Sequence, residues 1–341
     1  MCTLLILFRP KDKWPLIIAG NRDEMIDRPW LSPGKHWPDS PNIIAGKDLT
    51  AGGSWLGINE HGLVATILNR SNSLGPSSNK LSRGNIVIDV LNKNNIEDAL
   101  SYIKSINNSK WKPFNLFLAN NKRAYWIKSN SKDKIEINNI PEGKHFLDSH
   151  DINSNFSDRY NYNKKEYKSL KDPKPEIAEW DEWIQFLSRD IHPEDKPLAA
   201  INIGNKYLKN YGTICSSIVA IPENKEKTIF FVISLVHKVV FIHIPKCAGQ
   251  SVEETFLNDL KLSWDDHRYL FGCFERPSSW NKNIPDRLAH LTAKEILELN
   301  LLPEEIFNSF YKFTIVRDPL DRLVSSWNYL NPVSYTHLTL P

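Results

Sequence analysis

The sequence predicts an α+β fold over its first two-thirds, with helices packed outside sheets, and a partly parallel α/β sheet in its last third. Three observations support this. Short apolar runs alternate with polar turns from the start of the chain, helical spacing follows from about residue 82, and two strand–loop–helix patterns lie beyond residue 232. Apolar runs bounded by turn residues are typical of strands, and strand–loop–helix repeats favour parallel pairing.

Length and composition limit the classes of protein to which this chain can belong. The 341 residues are enough for two domains, and 24% charged with 41% apolar residues is typical of a soluble globular chain. A net charge of +3 predicts neither nucleic-acid binding nor attraction to membranes, and no apolar run reaches the ~20 residues that span a bilayer. The four cysteines are far apart, which argues against a disulfide framework or a metal site and favours a cytoplasmic location.

The elements of the first domain, residues 1–231, follow from these patterns. CTLLILF and PLIIAGN are expected to be strands joined by the polar turn RPKDKW, and GSWLGINEHGLVATILN is a hairpin. Helical spacing in SRGNIVIDVLNK and NIEDALSYIKSI precedes a second hairpin, FNLFLANNKRAYWI. After a polar stretch come a helix in PEIAEWDEWIQFLSRDI and closing strands in TICSSIVAIP and KTIFF.

The second domain, residues 232–331, has a different pattern. HKVVFIHIPKCAGQSVEETFLNDL predicts a buried strand, a tight loop and a helix beginning at Ser251, which has capping-box spacing to Glu254. KFTIVRDPLDRLVSSWNYL repeats the strand–turn–helix order. No flexible linker separates the domains. Residues 332–341 resemble the translated end of a sequencing adaptor and are left out of the fold prediction.

Cys2 becomes the first residue if Met1 is removed. An amino-terminal cysteine can combine a nucleophilic thiol with its own α-amine as the base. It still needs a partner that lowers the pKa of the thiol and donors that hold an oxyanion. The alternative is a small buried side chain at the start of a strand.

Candidate partners for this thiol come from two later segments. If the first two strands form a hairpin, Arg22 and Asp23 return to the start of the chain, where Arg22 would stabilise a thiolate and Asp23 would orient the α-ammonium. The alternative is a surface salt-bridge cluster. Asn69, at the end of the next hairpin, could donate its amide to an oxyanion, or it could simply form a turn.

The segments MCTLLILF, AGNRDEMIDRP, GGSWLGINEHGLVATILNR and YGTICSSIVAIP together resemble the NRDE-motif, or Transport and Golgi organisation, family over residues 1–230. The family is similar to amino-terminal-nucleophile hydrolases of the αββα fold. The resemblance implies Cys2 as nucleophile for an amide or acyl substrate, Arg22 and Asp23 beside it, Asn69 as oxyanion donor, and no cofactor. Where the amide hydrolases have a second active-site Asn, this chain offers Asp148 or Ser149. The family is also linked to haem and lipid handling, which leaves a non-catalytic carrier as the alternative.

The second domain contains two candidate anion-binding loops. Lys246, Gly249 and Ser251 stand where a strand passes into a helix, and helix amino termini attract anions. Arg317 and Ser325 stand in the second strand–turn–helix pattern, together with Arg322. The alternative for each loop is a capped helix with surface cations. The lysine precedes the glycine, so the first loop is not a Walker motif.

The two loops together resemble the phosphoadenylyl-sulfate-dependent sulfotransferases, with a P-loop-like α/β domain. The resemblance implies that Lys246, Gly249, Gln250 and Ser251 hold the 5′-phosphosulfate. It implies further that Arg317 and Ser325 hold the 3′-phosphate and that His290 is the base for a hydroxyl acceptor, expected to be a carbohydrate. Gln250 replaces the usual Thr, His267 is a weaker base candidate, and His290 could instead be a core or capping residue. Because the resemblance covers only the start of such a domain, we expect a truncated, inactive sulfotransferase, or a misassembled neighbouring gene joined near Phe231.

Overall fold

The structure, a computed structural model, describes residues 2–73, 75, 77, 79–177, 179–204 and 210–223, and the backbone of 229–233, 239–241 and 311–313. The chain divides into two compact units, which are Met1–Lys238 with Pro277–Asn281, and Val239–Arg276 with Lys282–Pro341. Each unit is described separately.

The first unit is built from twelve strands and four α-helices among its described residues. The strands are β1 (Thr3–Phe8), β2 (Leu16–Met25), β3 (Trp30–Gly34), β4 (Ile43–Asp48), β5 (Leu56–Asn59), β6 (Val64–Asn69), β7 (Phe114–Ala119), β8 (Ala124–Ser129), β9 (Glu136–Asn139), β10 (Gly143–Leu147), β11 (Tyr211–Ile221) and β12 (Ile229–Ile233). The α-helices are α1 (Gly84–Leu91), α2 (Ile96–Ser105), α3 (Asp158–Ser169) and α4 (Asp181–Ser188). Short 3-10 helices cover Asn108–Lys110, Pro175–Ile177 and Pro197–Ala199.

The strands form two antiparallel sheets. The first sheet has the order β10-β1-β2-β11-β12, and the second runs from β3 to β9 in chain order. In the first sheet, Thr3 pairs with Asn21 and Ser216 pairs with Asn21 from the other side. A register shift between Thr213 and Cys215 marks a β-bulge beside β2. Bulges of this kind bend a strand and redirect side chains, and this one lies next to Arg22 and Asp23.

Three packed interfaces show that the unit is a four-layer αββα sandwich. Between the sheets, residues of the first sheet such as Ile6 and Ile18 pack with Leu68 and Phe117 of the second. Residues of α1 and α2 cover the other face of the second sheet. On the outer face of the first sheet, Tyr167 of α3 contacts Phe146, and also Trp183 and Phe186 of α4. Burial of these apolar surfaces stabilises the layers.

The predicted α+β class is therefore confirmed, as are both predicted hairpins and the first two helices. The predicted helix in PEIAEWDEWIQFLSRDI is shorter, because a 3-10 turn at Pro175–Ile177 precedes α4. Five elements were missed: β3, β4, β9, β10 and α3. Proline in WLSPG and the polar residues of DRYNYNKKEYKS hide the expected periodicity.

In the second unit the described residues are two strands, β13 (Val239–Phe241) and β14 (Tyr311–Phe313). They pair in parallel, with Val240 opposite Lys312, as the predicted α/β sheet requires. Among the residues that the structure describes, no helix is long and apolar enough to cross a membrane.

Candidate active site

The β1–β2 hairpin brings Cys2 to the polar segment at the end of β2. Thr3 pairs with Asn21, so continuing the antiparallel register by one residue places Cys2 beside Arg22. The Cys2 thiol lies 3.8 Å from the backbone oxygen of Asp23, within the distance of a weak S–H hydrogen bond. The predicted return of Arg22 and Asp23 to the start of the chain is thus seen in the structure.

Cys2 opens into a cavity of about 460 Å³. Its wall includes three of the predicted residues besides the cysteine, which are Arg22, Asp23 and Asn69. Trp55 and Ile67 provide apolar surface, and the segment from Lys80 to Gly84 forms a second part of the wall. The volume falls within the range typical of small-molecule sites.

Asp23 is fixed by a buried network. Its carboxylate lies 3.0 Å from Arg159 Nη1, with the two side chains 0% and 2% exposed, and it accepts a 2.7 Å hydrogen bond from Thr213 Oγ1. Arg159 Nη1 also donates to Thr3 Oγ1 at 2.5 Å, and Tyr211 donates its hydroxyl proton to the Asp23 carbonyl. The network therefore holds the residue that follows Cys2 as well as Asp23.

Arg22 points to the opposite face of β2, between the sheets. Its guanidinium carbon lies 4.0 Å from the ring centroid of Trp55, and Nη2 lies 3.6 Å from Asp48 Oδ2. The residue is 5% exposed, and Nη1 has no hydrogen-bond partner among the described residues. A buried donor without a partner is costly, and one beside a nucleophile is available to a bound oxyanion or thiolate.

Opposing influences act on the pKa of the Cys2 thiol. Burial raises the pKa of the thiol above its usual value, and the charge of Asp23 acts in the same direction. The positive charges of the chain's amino terminus and of Arg22 oppose this rise without overcoming it. Nearby Cys215, opposite Arg22 on β11, has its pKa raised to about 12 by burial.

Asn69 lies at the end of β6 and lines the same cavity. A side-chain amide at this position is a candidate donor to an oxyanion of a ligand in the cavity. Asp148 and Ser149 are not among the residues that line this cavity. Asp148 instead accepts hydrogen bonds from Ser157 and from the backbone and ring of His150.

Several residues of the site escaped the sequence analysis. Arg159 lies in a polar helix that has no apolar periodicity, and Thr213 precedes a bulge that no local pattern reveals. Trp55 differs from these two residues, because it lies in the GSWLG part of a motif that was recognised in the sequence. Residues proposed for the second domain, from Lys246 to Ser251 with His290, Arg317 and Ser325, lie outside the described residues. Within the described ranges, no group of three acidic, His or Cys side chains is arranged to hold a metal ion.

Comparison with known families agrees with the sequence motifs. Residues 1–232 match the profile of the family Transport and Golgi organisation 2. The chain belongs to this family. Residues 230–335 match the profile of the Sulfotransferase family.

The curated relatives of this Transport and Golgi organisation 2 family member match over a limited length. The Transport and Golgi organization protein 2 homolog of Bos taurus is 33% identical over 115 residues, 31% of this chain and 40% of the relative. The human homolog is 33% identical over 130 residues, 35% of this chain and 45% of the relative. The alignments thus span less than half the length of these relatives.

Solved structures with a similar arrangement are distant in sequence. Penicillin V acylase from Agrobacterium tumefaciens is 14% identical with a TM-score of 0.41, over 70% of this chain and 85% of that one. The Caenorhabditis elegans ortholog of N-acylethanolamine-hydrolyzing acid amidase is 12% identical with a TM-score of 0.43, over 66% and 94% of the two chains.

Proposed function

We propose that the first domain is an amino-terminal-nucleophile hydrolase that cleaves an amide or acyl bond with Cys2. The observation that carries this proposal is the convergence on one cavity of Cys2, Asn69 and buried Arg22, whose Nη1 has no hydrogen-bond partner among the described residues. A nucleophile beside preorganised donors is the arrangement that acyl transfer needs.

The reaction follows from these positions once Met1 has been removed. The α-amine of Cys2 takes the thiol proton, and the sulfur attacks the carbonyl carbon to give a tetrahedral oxyanion held by Asn69. Collapse breaks the bond to the leaving group, which takes the proton from the α-ammonium, and leaves a thioester on Cys2. Water, deprotonated by the same amine, then hydrolyses the thioester and restores the thiol. Asp23, fixed by Arg159, would orient the α-ammonium.

The test is acyl-enzyme formation on the full chain, with p-nitrophenyl hexanoate as the probe. Intact-mass analysis first establishes whether Met1 is absent. We expect a hexanoyl adduct on the Cys2 peptide that disappears in Cys2→Ala and persists in Cys215→Ala, the matched control with a buried thiol. Retention of Met1, or labelling that does not depend on Cys2, would contradict the proposal.

A second candidate is a carrier for haem or a lipid-like ligand. The raised pKa of Cys2 favours it, because a rise in pKa lowers the fraction of reactive thiolate at neutral pH. In this case ligand would bind wild-type and Cys2→Ala protein equally well and leave no covalent adduct.

For the second domain we propose a site that binds phosphoadenylyl sulfate, the donor of a sulfuryl group for a hydroxyl acceptor that is expected to be a carbohydrate. The match to the Sulfotransferase family supports a sulfate donor of this kind. Lys246, Gly249, Gln250 and Ser251 would hold the 5′-phosphosulfate, Arg317 and Ser325 the 3′-phosphate, and His290 would act as the base. Hydrogen exchange tests this: adenosine 3′,5′-bisphosphate should slow exchange in this domain, and Arg317→Ala should abolish that protection.

A further inference from the structure

The charge lining the cavity is unbalanced. Five cationic side chains face it against three anionic ones, and the cations are Arg22, Arg28, Lys80, Arg83 and Lys112. Of the three anions, Asp23 pairs with Arg159, which lies outside the lining, whereas Asp48 and Glu24 lie 2.8 and 3.9 Å from Arg28 of the lining itself. A partly enclosed site with surplus positive charge attracts anionic ligands.

Among the described residues, neither Lys80 nor Arg83 forms a close ion pair with a carboxylate, and Glu24 acts on Arg83 only through a longer-range charge interaction. Lys80 Nζ donates to the Ser109 carbonyl at 2.5 Å. Arg83 Nη1 donates to the carbonyls of Ser73 and Pro113 at 3.1 and 2.9 Å. Backbone carbonyls hold these side chains in position without cancelling their charge, so an anion can still pair with them.

The start of α1 adds to the same positive region. Arg83 and Gly84 begin the helix at the cavity wall, and its first turn has no acidic residue; Arg83 provides no side-chain cap, and Ser82 Oγ accepts a 3.3 Å hydrogen bond from the Gly84 N–H. Gly84 lies directly against Gly53 and Ser54, since an added Cβ on Gly53 would stand 2.4 Å from the Gly84 carbonyl carbon. The helix dipole therefore acts on the cavity from a fixed position. Independently, the buried Arg22 with its unpartnered Nη1 lines this cavity.

From these contacts we propose that the substrate carries a carboxylate or similar anionic group, separate from the bond to be cleaved, which pairs with Lys80 and Arg83. Met25 and Leu81, 40% and 49% exposed at the same cavity, would contact an apolar body between the two polar ends. The inference names the substrate class of the proposed hydrolase and rests on that function for the reaction, but it makes a separate claim about binding.

The experiment measures binding without chemistry. Full-length Cys2→Ala protein is titrated calorimetrically with 4-phenylbutyrate and with its neutral amide, 4-phenylbutanamide. We expect the carboxylate to bind about tenfold more tightly, and its advantage to shrink between 50 and 500 mM NaCl as salt screens the charges. Lys80→Met and Arg83→Met should each weaken carboxylate binding several-fold and leave amide binding unchanged.

Two controls keep the outcome interpretable. Arg83→Lys retains the charge and should retain most of the preference if Arg83 acts through electrostatics. Lys104→Met removes an exposed charge of α2 that does not line the cavity and should change nothing. Equal affinity for the two probes, or no binding of either, would overturn the proposal. Because Cys2 is absent from this protein, the result does not depend on whether wild-type Cys2 forms a thioester.

Discussion

At the scale of single residues, the ion pair of Asp23 and Arg159 is almost completely buried. Removing one partner of such a pair leaves an uncompensated charge, which costs about 3–5 kcal/mol. We expect Arg159→Met to lower the free energy of unfolding by about this amount in urea. Arg123→Met, which removes an exposed pair with Glu97, is the control and should cost less than about 1 kcal/mol. Equal losses in the two variants would show that the buried network is unimportant.

His150 and Asp148 form a second titratable pair. The hydrogen bond to Asp148 raises the pKa of His150. Burial alone would raise the pKa of Asp148, but the hydrogen bonds from His150 and Ser157 outweigh it and lower that pKa. The histidine's contribution to stability is complete below about pH 6.5 and is lost as the pH rises through its folded pKa. The aspartate's contribution is present above about pH 4 and is lost as the pH falls through its folded pKa.

The pair therefore contributes most to stability at mildly acidic pH, where both contributions are present. We expect His150→Gln to destabilise the protein more at pH 5.5 than at pH 8.5, by up to about 1 kcal/mol because the imidazole is partly exposed. Urea unfolding at the two pH values measures the difference. His61→Gln, at an exposed turn, is the control. A pH-independent loss for His150→Gln would mean that the histidine acts by packing alone.

At the scale of elements, the contact between α1 and the loop before β5 depends on two glycines. A Cβ on Gly53 would lie 2.4 Å from a backbone atom of Gly84, which cannot move without displacing the helix. We expect Gly53→Ala to cost about 1–3 kcal/mol, the usual range for overpacking, in a urea melt. Gly52→Asn is the comparison, because Gly52 has open space and a φ of +74° that asparagine tolerates. Similar stability of the two variants would contradict this role for Gly53.

The sequence predicted some secondary-structure elements and missed others. The hairpins β1–β2 and β5–β6 were predicted because apolar strands flank polar turns, and their pairing was enough to bring Cys2, Arg22 and Asp23 together. Helix α3 was not, since its buried side chains are Arg159, Tyr160, Asn163 and Tyr167. Tyr167 uses its hydroxyl to bind the backbone of Ile6 and His145, and Asn163 binds backbone carbonyls. Polar groups that are buried by tertiary hydrogen bonds leave no periodic signal in the sequence.

At the scale of the whole molecule, the chain joins two compact units, and residues 230–335 match a second family. Separate cores unfold in separate transitions unless a large interface couples them. We therefore expect two transitions in calorimetry of the full chain. Adenosine 3′,5′-bisphosphate at a hundred times its Kd should stabilise one of them by about 2.7 kcal/mol and leave the other unchanged. In Arg317→Ala, adding the nucleotide should shift neither transition. Arg159→Met should lower the midpoint temperature of only one transition, the one that the nucleotide leaves unaffected. A single transition that shifts as a whole with nucleotide would show instead that the two units fold as one.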